Sequence, residues 1–190
     1  MAATGSAILA AGGSRRLGQP KQLVSMRGEP LVRGVATLAA AVSGENVAVV
    51  LGCEAERVRA ALHGLPCAEL ENAAWQEGIA SSIRVAVRWA EARELAALML
   101  LVCDQTHLSQ AVLLQLWAAW EARPQLAAAA CYAGTTGVPA VFPREYYAAL
   151  LSLQGDRGAA KLLQGSAVSR VAWPDGVHDV DTPTDLEGIS

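Results

Sequence analysis

The sequence predicts an α/β protein with a Rossmann-like three-layer α/β/α fold, in which a mostly parallel sheet carries one small insertion. Strand patterns alternate with helical patterns along the whole chain, as in parallel sheets whose crossovers are helices. Hydrophobic residues make up 53% of the chain and charged residues only 17%, which indicates a large buried sheet and excludes disorder. No apolar run approaches the roughly 20 residues of a membrane span.

The first half of the chain is predicted to alternate strictly between strands and helices. Residues 4–11 form an apolar run closed by two glycines, which predicts a buried strand. Leucine and valine recur at helical spacing within 30–42, which predicts a helix with one apolar stripe. A valine-rich run at 46–51, between two glycines, predicts a parallel strand. A helix over 54–62 and a strand over 67–70 follow.

The second half is organised around the most apolar predicted strand, residues 95–103. Before it, residues 82–94 place small and branched apolar side chains on one face and predict a helix. After it, Ser109 is a candidate N-cap for a helix that ends at Ala122. In such a sheet a ligand is expected beyond the carboxyl ends of the strands. The remaining predicted elements are strands over 127–132, 138–142 and 168–173, and helices over 145–153 and 158–164.

Size and charge limit the functions that the chain can have. Its 190 residues predict a single domain over 1–190, and its net charge of -3 argues against a nucleic-acid partner. The apolar N-terminus lacks the positive start of a signal peptide, so we expect no membrane partner and a cytoplasmic location. The four cysteines form no C-x-x-C pair, which predicts free and mostly buried thiols rather than zinc ligands.

The loop after the first predicted strand combines glycines with cations. Gly12 and Gly13 allow backbone N–H groups to approach phosphate oxygens, and Arg16 and Lys21 would neutralise the charge of a triphosphate. A P-loop is excluded, because Gly18 is not followed by Lys and then Ser or Thr. The G-x-G-x-x-G fingerprint is also missing, which disfavours a dinucleotide-dependent dehydrogenase.

Residues 9–21, LAAGGSRRLGQPK, resemble the first loop of a nucleotidyltransferase family, which reads L-A-A-G-x-S-x-R-M-G-x-P-K. The match holds at nearly every position, with Leu17 in place of the family's methionine. The resemblance implies a nucleotide-binding loop formed by Leu9, Ala10, Ala11, Gly12, Gly13, Ser14, Arg16 and Lys21.

A second segment, residues 72–82, resembles the family's N-x-x-W-x-x-G-M-x-x-S stretch. The residues themselves predict a turn at Gly78 and a helix capped by Ser81 or Ser82. Trp75 is predicted to pack in the core rather than to contact a ligand. The resemblance adds to the implied nucleotide site Asn72, Gly78 and Ser81.

Asp104 follows the most apolar strand, where a bare carboxylate would be costly to bury, so it must be paired or bind a cation. Mg²⁺ typically binds one or two carboxylates together with substrate phosphates. Residues 102–105, VCDQ, resemble the family's C-D-Q-P, with Thr106 in place of proline, and imply that Asp104 holds Mg²⁺. The stretch DVDTPTDL resembles D-I-D-T-P-E-D-L and implies Asp181 as a second ligand. Helix capping by Asp104, and an acidic helix start at Asp181 or Asp185, are the alternatives.

Two glycine-rich segments resemble the acceptor side of the same family. Residues 137–140, GVPA, are similar to its G-x-P segment, and residues 155–160, GDRGAA, to its G-D-x-G-A stretch. A plain surface turn would explain the same glycines. The resemblance implies a small acceptor-binding insertion that uses Gly137, Pro139, Gly155, Asp156 and Gly158.

The resemblance spans residues 5–187 and is strongest to the molybdenum cofactor cytidylyltransferases. It implies an Mg²⁺-dependent enzyme in which Arg16, Lys21 and Asp104 are catalytic. The reaction would move CMP from CTP onto a molybdopterin-like acceptor with release of pyrophosphate, and a molybdoenzyme or its maturation chaperone would be a further partner. Ala11 favours CTP, because the guanosine enzymes carry glycine there and the added methyl group restricts space at a cost of ~1 kcal/mol.

Three alternatives accompany this interpretation. The first two are a GTP-dependent molybdenum cofactor guanylyltransferase and a sugar- or polyol-phosphate nucleotidyltransferase, which share the first loop and the metal-binding carboxylate. The third is a non-catalytic module that delivers the cofactor to a target enzyme. Such a module would have lost at least one of the three catalytic residues, and all three are present.

Overall fold

A single sheet forms the centre of the protein. The computed structural model describes residues 3–14, 17–164, 167–182 and 184–185. In these residues β2 and β3 form a short hairpin, and the other strands form a seven-stranded sheet in the order β5-β4-β1-β6-β8-β7-β9. The strands are β1 (Thr4–Leu9), β2 (Ser25–Met26), β3 (Glu29–Pro30), β4 (Val47–Leu51), β5 (Ala68–Glu71), β6 (Ala97–Val102), β7 (Ala127–Tyr132), β8 (Thr135–Pro143) and β9 (Val168–Ala172).

Helices cover both faces of this sheet. One apolar layer joins the sheet to α1, α2 and α4, and a second joins it to α3, α5 and α6. The side chains of successive strand residues pack in opposite layers, because side chains alternate between the two faces of a sheet. Ile8 of β1 packs in the first layer and Ala7 in the second. The predicted three-layer architecture is confirmed. The helices are α1 (Leu31–Ser43), α2 (Ala55–Leu62), α3 (Ile79–Ala92), α4 (Gln110–Glu121), α5 (Tyr147–Leu151) and α6 (Ala160–Leu163).

The order of the strands creates a crevice beside β1. The chain runs outward from β1 to β4 and β5, and then returns to place β6 on the other side of β1, all in parallel. Among the described strands of the seven-stranded sheet, only β8 runs antiparallel, between β6 and β7. The connections that leave β1 and β6 therefore diverge at the carboxyl ends of these strands, which is where open α/β sheets bind ligands.

Three local predictions need correction. Helix α3 begins at Ile79 rather than at residue 82, with Gly78 as its N-cap. The helix predicted over 145–153 is a 3-10 turn, Arg144–Tyr146, followed by the shorter α5. All four cysteines are free as predicted, but only Cys103 is buried, because the others lie near element ends where packing is incomplete. Within the described ranges, no helix is long and apolar enough to cross a bilayer.

Candidate functional site

A cleft of about 540 Å³ opens at the carboxyl ends of β1 and β6. Three walls enclose it: the loop after β1, the turn that leads into α3, and the residues that follow β6. Asp156 and Asp181 reach it from later parts of the chain. The predicted site residues that line the cleft are Leu9, Ala11, Gly12, Gly13, Ser14, Lys21, Gly78, Asp104, Asp156 and Asp181.

Gln22 holds the loop after β1 in place, a role that was not predicted from the sequence. Its side chain is 1% exposed, and its Nε2 donates to the carbonyl oxygens of Ala10 and Gly12 at 2.7 and 2.6 Å. Ser14 adds a further hydrogen bond within the loop, since its Oγ accepts from the backbone N–H of Lys21 at 3.0 Å. Gln22 thus occupies the carbonyl groups of Ala10 and Gly12, and a loop whose carbonyl groups are already bonded is better suited to accept an anion at its N–H groups. A polar residue in the otherwise apolar run after Lys21 was the only available signal.

Replacing Gln22 by leucine should destabilise the protein, because two carbonyl oxygens would lose their donors. We expect a loss of about 1–3 kcal/mol in the free energy of unfolding, measured by urea denaturation. Gln115→Leu is a matched control, since Gln115 lies on the exposed side of α4. Equal unfolding midpoints for the two variants would show that Gln22 does not support the loop.

Lys21 joins two carboxylates that are distant in sequence. Its Nζ contacts Asp104 Oδ2 and lies 3.4 Å from Asp181 Oδ1. The two acids come together because the backbone N–H of Val180 donates to the carbonyl oxygen of Asp104 at 3.1 Å, in a short antiparallel bridge between Gln105 and Asp179. Asp104 therefore pairs with Lys21 at this point, and the N-cap of α4 is Ser109 instead.

The electrostatics of this cluster keep Lys21 charged. Burial alone would lower the pKa of Lys21, but the charge and hydrogen bond of Asp104, with further help from the charge of Asp181, raise it above its usual 10.5. Partial desolvation, followed by repulsion from Asp104 and Asp181, raises the pKa of Asp179. Burial also raises the pKa of the Cys103 thiol to about 12, so this cysteine stays protonated. Two carboxylates, Asp104 and Asp181, thus contact the single ammonium group of Lys21.

The residues present fit a hard divalent cation. Asp104 and Asp181 converge on one ammonium group, so both carboxylates can face one metal ion. In the described part of the chain, no group of three or more His, Cys, Asp or Glu side chains could form a complete metal cage. Two carboxylates, with the remaining positions left to phosphate oxygens and water, match the preference of Mg²⁺.

Asp185 has a structural role in this region. Its Oδ2 accepts from the backbone N–H groups of Asp181 and Thr182 at 3.0 and 2.7 Å, and from Thr182 Oγ1 at 2.8 Å. These hydrogen bonds lower the pKa of Asp185. Asp185 therefore holds the turn that presents Asp181, and the alternative of an acidic helix start stays a prediction, since the described residues include no α-helix after Val177.

Asn72 supports the second wall from behind. It is buried, and its Nδ2 donates to the hydroxyl oxygens of Ser81 and Ser82 at 2.9 and 3.0 Å. Ser81 Oγ in turn donates to the carbonyl oxygen of Gly78 at 2.8 Å, so the prediction that Ser81 or Ser82 caps α3 is wrong. Asn72 and Ser81 lie behind the cleft wall, whereas Ser82 lines it. The helix starts one turn earlier than predicted, which places both serines inside it.

Trp75 belongs both to the core and to the wall of the cleft. It packs against the apolar layer of α3 and also lines the cleft. A Cβ atom at position 13 would lie 3.2 Å from its ring, so Gly13 allows the loop and the ring to approach closely. The prediction of a purely internal Trp75 is therefore incomplete.

The implied acceptor residues fall into separate places. Asp156 lines the cleft, and Gly155 and Gly158 lie close to Gly78 and Ile79 at its rim. Gly137 and Pro139 lie in β8 and do not line the cleft. Their segment connects to the site indirectly, since Gln105 Nε2 donates to the carbonyl oxygen of Val138 at 2.9 Å. Ala10 is buried beneath the loop after β1, and Arg16 lies outside the described residues.

Comparison with known proteins identifies the family of the chain. The sequence profile described as MobA-like NTP transferase domain matches residues 6–171. The purine catabolism protein PucB of Bacillus subtilis is 29% identical, over 96% of this chain and 93% of its own length.

Several solved structures share the fold of this chain. Rv0371c of Mycobacterium tuberculosis is 29% identical, with a TM-score of 0.80 over 99% of this chain and 97% of its own. A complex of Rv0371c with manganese superposes with a TM-score of 0.75 at 27% identity and the same coverage. Molybdopterin-guanine dinucleotide biosynthesis protein A of Archaeoglobus fulgidus shares the fold at 17% identity, with a TM-score of 0.72 over 96% of this chain and 94% of its own.

Proposed function

Because this chain belongs to the MobA-like NTP transferase family and is a nucleotidyltransferase of that family, we propose that it transfers CMP from CTP to molybdopterin and releases pyrophosphate. The observation that carries the proposal is the convergence of Lys21, Asp104 and Asp181 at the rim of a cleft lined by the glycine loop. A cation, two acids and backbone N–H groups are the groups that a metal-bound triphosphate requires.

The proposed reaction is an in-line displacement at the α-phosphorus of CTP. An oxygen of the acceptor phosphate forms a bond to that phosphorus, the bond to the β-phosphate oxygen breaks, and the electron pair leaves with pyrophosphate. Lys21 and Arg16 stabilise the negative charge that develops on the phosphates. Gly12, Gly13 and Ser14 bind the triphosphate through the backbone. Mg²⁺, held by Asp104 and Asp181, would neutralise phosphate charge when bound.

The acceptor is assigned to the opposite wall of the cleft. Asp156 lines that wall. The manganese complex of Rv0371c supports the use of a divalent cation. The assignment of molybdopterin rests on the resemblance of the GDRGAA segment, whose Asp156 lines the cleft, since the GVPA segment lies outside it. A molybdoenzyme or its maturation chaperone is the proposed recipient of the product.

The choice of CTP rests on the methyl group of Ala11. Ala11 is 2% exposed and lines the cleft beside Gly13. A Cβ atom at position 52 would lie 2.7 Å from the Ala11 Cβ, so this methyl group packs closely against Gly52 and has little room to retreat. The preference for CTP over a purine nucleotide follows from the resemblance, in which the guanosine enzymes carry glycine at this position.

Pyrophosphate release tests the proposal. CTP, GTP and ATP are each incubated with Mg²⁺, with and without molybdopterin, and with a sugar 1-phosphate or a polyol phosphate as a competing acceptor. We expect release only with an acceptor, and CTP with molybdopterin to exceed the other pairs at least about tenfold. Faster release from GTP would identify a guanylyltransferase, and release only with the sugar or polyol phosphates would replace molybdopterin. Nucleotide binding without any release would indicate a delivery module.

A further inference from the structure

An ion pair with two parallel hydrogen bonds lies just outside the cleft wall. Arg84 of α3 donates from Nη1 to Glu77 Oε1 at 2.9 Å and from Nη2 to Glu77 Oε2 at 2.6 Å. Glu77 ends the 3-10 turn, Trp75–Glu77, that precedes α3. Neither residue lines the cleft. Paired guanidinium and carboxylate groups fix each other's orientation more strictly than a single hydrogen bond does.

The same ion pair also binds the loop between α5 and α6. Arg84 Nη1 also donates to the carbonyl oxygen of Leu153 at 2.8 Å. The pKa of Glu77 is lowered mainly by its hydrogen bond from Arg84, against the effect of desolvation, and the backbone N–H of Gly155 also donates to the Glu77 carboxylate. The backbone N–H of Ala80 donates in return to the carbonyl oxygen of Gly155 at 3.1 Å. Two charged side chains and one backbone bond therefore hold this connection against the start of α3.

Gly78 packs directly against the loop that connects α5 and α6. Gly78 has a φ of 118°, and a Cβ atom there would lie 2.5 Å from both Asp156 Oδ1 and the carbonyl group of Gly155. The backbone of the turn is thus in direct contact with the loop that carries Asp156. Because Asp156 lines the cleft while its loop is held from outside, movement of the Glu77–Arg84 pair would move the cleft wall.

We propose that Arg84, through its ion pair with Glu77, is a positioning residue that sets Asp156 against the phosphorylated acceptor. The inference rests on the proposed function, in which Asp156 lies on the acceptor side. The triphosphate is held by Lys21, Asp104 and the glycine loop on the other side, so Arg84 affects the acceptor and leaves the nucleotide in place. Transfer between two bound substrates is sensitive to misplacement by about 1 Å, which is the scale of a loosened loop.

Arg84→Ala, Asp156→Ala and the double variant test the proposal, with CTP and molybdopterin as substrates. We expect Arg84→Ala to lower kcat/KM for molybdopterin at least about tenfold, with unchanged CTP affinity by calorimetry. The double variant should be no slower than Asp156→Ala, because Arg84 acts through Asp156. Arg59→Ala is the matched control, since Arg59 also forms ion pairs with glutamates, Glu56 and Glu69, but away from the cleft. Additive losses, or a parallel loss of CTP affinity, would overturn the proposal.

Hydrogen exchange separates this inference from the proposed function. In Arg84→Ala the backbone amides of Ala80 and Gly155 should exchange faster, while the amides of β1 and β4 keep their protection. Unchanged protection at Ala80 and Gly155 would overturn the positioning role, whether or not the wild type is active. If the wild type releases no pyrophosphate from CTP with molybdopterin, the proposed function fails, and exchange alone decides whether Arg84 holds the loop.

Discussion

Asp104→Asn should abolish nucleotidyl transfer and leave the fold intact. The change removes the negative charge that pairs with Lys21 and that the proposed Mg²⁺ requires, while the side chain keeps its size. We expect a fall in kcat of about 10²–10³-fold or more, as for the loss of one preorganised electrostatic group in a site that excludes water. Pyrophosphate release with CTP and Mg²⁺ measures the loss, and thermal unfolding checks the fold.

The fold should survive because the neighbours of Asp104 remain partnered. Lys21 keeps Asp181 within 3.4 Å, and the carbonyl oxygen of Asp104 still accepts from Val180. Asp175→Asn is a suitable control, since Asp175 is an exposed acid in the turn Pro174–Val177 and does not line the cleft. A variant of Asp104 that kept more than about a tenth of the wild-type rate would remove this residue from the metal role.

Lys21→Met should produce two effects of opposite sign. CTP binding should weaken about 10- to 100-fold, which corresponds to the loss of a hydrogen bond from a charged group, worth about 1.5–3 kcal/mol. Binding of Mn²⁺ in the absence of nucleotide should instead tighten, because Lys21 occupies the space between the carboxylates of Asp104 and Asp181 and competes with a second cation. Calorimetry with CTP and, separately, with MnCl₂ measures both affinities.

The opposite changes in CTP and Mn²⁺ affinity distinguish a specific role of Lys21 from a general loss of structure. A general loss of structure would weaken both ligands, whereas removal of a competing ammonium group weakens one and strengthens the other. Lys161→Met is the control, since Lys161 is exposed on α6. Unchanged CTP affinity in Lys21→Met would contradict the assignment of Lys21 to the phosphates. Unchanged Mn²⁺ affinity would show that the two carboxylates do not bind the cation together.

Local sequence patterns were sufficient for most of the fold. The apolar runs that became β1, β4 and β6 are short, buried and bounded by glycine or charge, and a fully buried parallel strand needs no more than that. The profile match over residues 6–171 confirms the family that the first loop indicated. The patterns failed where elements are short or irregular, as in the hairpin of β2 and β3. Two-residue strands carry no periodicity.

The candidate site was less accessible to the same reasoning. Gln22 is the only polar residue in the short segment 22–24. Nothing in the neighbouring residues indicates that its side-chain amide bonds the carbonyl groups of Ala10 and Gly12. Ser81 fits an N-cap by type, yet the helix begins before it, since Gly78 adopts the φ of 118° that ends the preceding turn. Both cases depend on the path that the backbone takes through space, which the type of a single residue does not specify.

The sequence by itself determined the three-layer fold, the family and the chemical character of the loop after β1, because these depend on composition and on residues close together in the chain. Only the tertiary structure decided that Lys21 meets Asp104 across 83 positions and Asp181 across 160, that Asp156 lines the cleft, and that Gly137 and Pro139 do not. Those relations arise from the order in which parallel strands assemble. Strand order is set by the packing of whole layers, so no local pattern along the chain records which loops become neighbours.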